Sequence, residues 1–123
     1  MTYAKDLEAT KQTYPFDKWH KGFEEGLEQY TQENCSKAQA IFDTLIAELI
    51  AISSDATESQ KIQKFETAVL ALNDLNDELD DCFIETGERE DLCELCNTIC
   101  RFAGIDPTKY GDGEGPASEW REW

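Results

Sequence analysis

Apolar residues recur every three or four positions along this chain, and no convincing strand-length alternation interrupts them, so it reads as helix after helix. Tyr14-Pro15 suits a helix start, with proline at the first helical position, where its missing N–H costs nothing. Phe16, Trp19, Phe23, Leu27 and Tyr30 then fall on one stripe. Gly22 and Gly26 lie inside it; close approach of another helix is the preferred reading, a kink the alternative. Ser36-x-x-Gln39 has the form of a capping box and predicts a helix to about Ile52, the most buried of the set. Ser53-Ser54-Asp55 breaks that pattern, and a second box, Thr57-x-x-Gln60, opens the next helix. Ile62, Phe65, Val69, Leu72, Leu75, Leu79 and Phe83 carry its apolar side onward. Thr86-Gly87 predicts a turn, followed by a short helix from about Glu88 to Ala103 that Gly104 stops, with Pro107 just beyond. The glycine-rich stretch from Asp106 predicts loop. The expectation is an all-α, single-domain bundle of about four to six helices, with the irregular tail 106–123 docked on it.

Composition supports a core of its own: 40% of the 123 residues are hydrophobic despite a net charge of −16. The longest apolar-rich segment, Ile41 to Ile52, is interrupted by Asp43, Thr44 and Glu48, too short and too polar to span a bilayer. The opening Met-Thr-Tyr-Ala-Lys-Asp-Leu-Glu lacks the basic-then-apolar layout of a signal peptide, so the expected compartment is the cytoplasm. Five cysteines, an odd number with three crowded at Cys93, Cys96 and Cys100, fit free thiols better than a disulfide scaffold.

Charge changes the picture most. Between Asn73 and Glu94 lie ten carboxylates and one base, Arg89, a net −9. Such a field repels nucleic acid and acidic membranes and attracts basic protein surfaces. A solvated helix face is the plain reading of any charge run. Apart from Glu85, with Arg89 four residues on, these acids lack the Lys or Arg partners four residues away that such a face usually acquires, which raises the case for a use in binding.

Other chemistry is weaker. Cys93-x-x-Cys96-x-x-x-Cys100 lies on one helical face among Leu92 and Ile99, which reads as core before metal or redox chemistry. His20, the only histidine, has no placed catalytic partner. The acidic run has no calcium-binding loop pattern, and Asp112-Gly-Glu-Gly115 is too short of acids. Trp120 and Trp123 either pack back on the bundle or anchor an interface. No catalytic residue, cofactor or metal ligand is assigned.

Leu72-Asn-Asp-Leu-Asn76, Phe83-Ile-Glu-Thr-Gly-Glu-Arg-Glu-Asp-Leu-Cys93 and Glu119-Trp-Arg-Glu-Trp123 resemble segments of small acidic bacterial immunity proteins from contact-dependent growth inhibition and related toxin systems. The resemblance covers roughly the C-terminal half. It implies a cytoplasmic, non-catalytic protein that binds one cognate toxin domain and blocks it. Basic clefts of nuclease toxins suit an acidic inhibitor. The partner surface expected on this reading comprises Asp77, Glu78, Asp80, Asp81, Glu85, Glu88 and Asp91, with Trp120 second. The alternatives are an acidic adaptor or nucleic-acid mimic that binds a basic host protein, and a cysteine-based metal-binding protein.

Overall fold

The computed structural model describes residues 2–26 and 28–123, and among these every regular element is helical. In order they are α1 (Tyr3–Ala9), α2 (Phe16–Glu24), α3 (Gln32–Ile52), α4 (Glu58–Glu78), α5 (Thr86–Phe102) and the single turn α6 (Ala117–Trp120), with 3-10 turns between some of them. No helix among the described residues is long and apolar enough to cross a membrane. The long antiparallel neighbours α3 and α4 pack against each other along their length. Phe42, Ile46 and Leu49 of α3 meet Phe65, Val69 and Leu72 of α4 in a core from which water is excluded. Leu92, Cys96 and Ile99 of α5 complete it.

α1 was not anticipated from the sequence. It lies against α3 and α5, inserts Leu7, and donates a hydrogen bond from the Tyr3 hydroxyl to the Leu49 carbonyl at 3.3 Å. Pro15 caps α2 rather than beginning it. Gly26 has φ +105° and nothing within 4 Å of where a Cβ would stand, so it ends the helical region instead of admitting a close neighbour. The stripe predicted through Tyr30 therefore breaks: Phe16 and Trp19 are buried, Phe23 is exposed, and Tyr30 enters the core from a loop. Leu27 lies outside the described residues.

α3 begins four residues before Ser36, because Thr31 Oγ1 accepts from Asn34 N–H at 3.1 Å and caps the helix earlier. The second box is as expected, with Thr57 and Gln60 bonding reciprocally. α4 stops at Glu78 and does not run on to Phe83, while Thr86 and Gly87 lie in the first turn of α5. The connecting turn is thus 79–85. The tail holds two 3-10 turns as well as α6, and Tyr110, Trp120 and Trp123 pack against the main core. Asn73 of α4 fastens it: Nδ2 donates to the Trp120 carbonyl at 3.0 Å, and Oδ1 accepts from Glu122 N–H at 3.0 Å.

Candidate partner-binding surface

The acidic surface is built on a turn bolted from three sides. Asn76, in the last turns of α4, is buried and accepts the Ile84 N–H on Oδ1 at 2.8 Å. The Tyr30 hydroxyl donates to the Phe83 carbonyl at 3.0 Å from the far side. The Phe83 ring is wholly buried, 5.6 Å from Trp19 and 5.5 Å from Tyr30 between centroids. With Phe83 and Ile84 pulled inward, Asp80, Asp81, Cys82 and Glu85 are left on the outside.

The end of α4 is a Schellman motif. Asp81 N–H reaches back to the Asn76 carbonyl at 2.8 Å and Asp80 N–H to the Asp77 carbonyl at 3.1 Å. Both aspartates are left-handed, with φ of 60° and 58°. That conformation costs an L-residue about 1 kcal/mol or more, though Asp tolerates it better than most. The helix dipole adds to the strain: Asp74, Asp77 and Glu78 stand at the negative end of α4, with no base in its last turn. Glu85 and Glu88, at the positive end of α5, are favourably placed.

Asp77, Glu78, Asp80, Asp81 and Glu85 are all exposed on one continuous stretch of backbone. Glu78 pairs with Lys37 at 3.4 Å, an exposed contact of small worth. Among the described residues Asp77, Asp80, Asp81, Glu85 and Glu88 have no Lys or Arg nitrogen within 4 Å. Glu88 is half-buried and, with Glu85, bears on the Tyr30 hydroxyl, whose pKa is pushed up first by burial and then by these carboxylates.

Asp91 and Trp120 are differently placed. The half-buried Asp91 carboxylate accepts from Trp19 Nε1–H at 3.0 Å and pairs with Lys18 at 2.8 Å, tying α5 to α2. It is engaged within its own chain, so a partner would have to break those bonds to use it. Trp120 is half-buried against the core.

Sequence reasoning missed a cleft of about 330 Å³ beside the turn, where Asp74, Asp77 and Asp81 face Glu122 of the docked tail. The available signal was Asn73 and Asn76, two amides in the apolar register of α4, each of which recruits backbone from elsewhere. Of the cysteines, Cys35, Cys96 and Cys100 are buried, as core packing requires, Cys93 is half-buried and Cys82 exposed; all five are free. Burial pushes the Cys35 thiol up to about 11 and the Cys100 thiol up to about 12. No group of three or more His, Cys, Asp or Glu side chains among the described residues is gathered to hold a metal ion. The His20 ring stacks on Phe23 at 6.0 Å.

Searches with protein-family models, among curated proteins and among solved structures found no match for this chain.

Proposed function

We propose that this chain is an immunity-type inhibitor that binds a basic toxin domain stoichiometrically, without catalysis, in the cytoplasm. The observation that carries this reading is the turn 79–85, which holds unpaired carboxylates outward on a backbone anchored by Asn76, Tyr30 and Phe83. Left-handed aspartates and acids at a negative helix end reduce stability, and a binding role accounts for their presence. A fixed display loses little conformational freedom on docking, and its field speeds capture of a cationic surface. A nuclease is the fitting target, since it must present positive charge to phosphate.

The test uses the domain encoded by a neighbouring reading frame as the binding partner. Stopped-flow association is expected to slow about tenfold on charge reversal, Asp80→Lys with Asp81→Lys, and to slow as salt rises. Association indifferent to both salt and charge reversal would defeat the electrostatic reading. Equal binding to a panel of unrelated basic nucleic-acid-binding proteins would favour an adaptor or nucleic-acid mimic instead.

A further inference from the structure

All three arginines of this strongly acidic chain line one open cleft of about 710 Å³. Arg89 and Arg101 belong to α5, where Arg89, Cys93, Asn97 and Arg101 succeed one another at four-residue spacing and so share a face. Arg121 comes from the tail and crosses to the same cleft.

Arg121 and Arg89 are in contrasting states. Arg121 is held: Nε donates to Ser118 Oγ at 3.2 Å, one terminal nitrogen donates to the Trp123 carbonyl at 2.6 Å, and Glu114 lies 3.8 Å from the other. Arg89 is half-buried and, among the described residues, has no carboxylate within 4 Å, although acids outnumber bases 27 to 11. Its guanidinium nitrogens still reach water and are not buried, so a ligand can meet them from the open side of the cleft. Arg89, Cys93 and Arg121 line the same cleft. The acids lining it, Glu90, Glu94 and Glu114, are exposed, as is Arg101, while Arg89 and Arg121 are half-buried.

We propose that this cleft binds a small ligand through one oxyanion group, a carboxylate or a phosphate, held between Arg89 and Arg121. The planar fork of N–H donors on Arg89 matches such a group, while Arg121, whose nitrogens already face Ser118, Trp123 and Glu114, contributes its charge. The volume falls within the roughly 300–1,000 Å³ usual for small-molecule sites. The acidic rim turns away nucleic acid and other polyanions. The site is separate from the turn 79–85 and stands or falls independently of the inhibitor reading.

With three arginines, the full ¹⁵N-labelled chain gives a three-signal Arg Nε–H spectrum. It is titrated with sodium phosphate and, separately, sodium acetate, ionic strength being held constant with sodium chloride. Saturable movement of the Arg89 and Arg121 signals with either anion is expected, and the anion that saturates identifies the group. Arg89→Gln is expected to weaken that response at least about tenfold, and Arg89→Lys, which keeps the charge but loses the fork, to weaken it less. If the three signals drift together without saturating, or if saturation survives Arg89→Gln, the proposal is overturned. The first readout needs no variant, so a poorly folding substitution leaves it decisive.

Discussion

Asp80 and Gly104 occupy the same position of the same helix-ending motif. Asp80 N–H donates to the Asp77 carbonyl at 3.1 Å after α4, and Gly104 N–H donates to the Arg101 carbonyl at 3.0 Å after α5. Both are left-handed, with φ of 60° and 86°. Glycine is the usual occupant, because a Cβ is strained there. Asp80→Gly is therefore expected to stabilise the fold by about 0.5–1 kcal/mol, helped by removal of a carboxylate from the negative end of α4. Gly104→Ala should cost about 1 kcal/mol. Urea midpoints measure both, and an Asp80→Gly protein less stable than the parent would contradict the account.

The Asn76–Ile84 bond is the internal brace of the acidic turn. Asn76→Leu keeps the bulk but orphans a buried N–H, and is expected to cost about 1–3 kcal/mol. Amide hydrogen exchange should show Ile84 losing protection beyond the global change, since local opening no longer breaks a hydrogen bond.

Lys61 is buried, and its ammonium donates to the Ser54 carbonyl at 3.1 Å and the Ala103 carbonyl at 2.9 Å. It thereby fastens the chain just after α3 to the end of α5, where carbonyls carry partial negative charge. Its ammonium also lies 5.2 Å from the centroid of the Tyr3 ring, a cation–π contact with α1. Lys61→Met retains the stem and removes the charge; a loss of about 2–3 kcal/mol is expected from chemical denaturation.

Burial sets a limit on alkaline stability. The Cys35 and Cys100 thiols ionise at about 11 and about 12 when folded, against an ordinary value of 9.0. The unfolded chain loses these protons first, so stability is intact below about pH 9 and falls as pH rises toward the folded values. Urea denaturation between about pH 8 and 11 should show the decline, and Cys100→Ala should flatten it.

Thiol reactivity near neutral pH should follow exposure. Cys82 is expected to react first with an aromatic disulfide reagent and Cys93 more slowly, while Cys35, Cys96 and Cys100 wait for unfolding. Rapid labelling of Cys96 in the native protein would show that the core is more open than its packing.

What depends on neighbours a few residues apart was legible in the sequence. The 3.6-residue periodicity made the chain all-α, the Thr57–Gln60 box opened α4, Gly104 closed α5, and apolar residues threaded through the acidic run forced its carboxylates outward. What depends on distant partners was not. The end of α4 was illegible because an aspartate stands where glycine would have announced it, and Phe83 keeps the helical register although it reaches the core from a turn. That turn is held by Asn76 from within and by Tyr30, 53 residues away in the chain, so local pattern encodes only part of it. Asp91 belongs by sequence to the run of ten acids, yet its carboxylate accepts from Trp19, 72 residues away. Arg121 lines the same cleft as Arg89 because the tail docks on the bundle, fastened to α4 by Asn73 through a contact across 47 residues to the Trp120 carbonyl. Local propensity sets which segments coil; burial and the pairing of buried polar groups, which act through space, set where they stop and which charges remain to meet a partner.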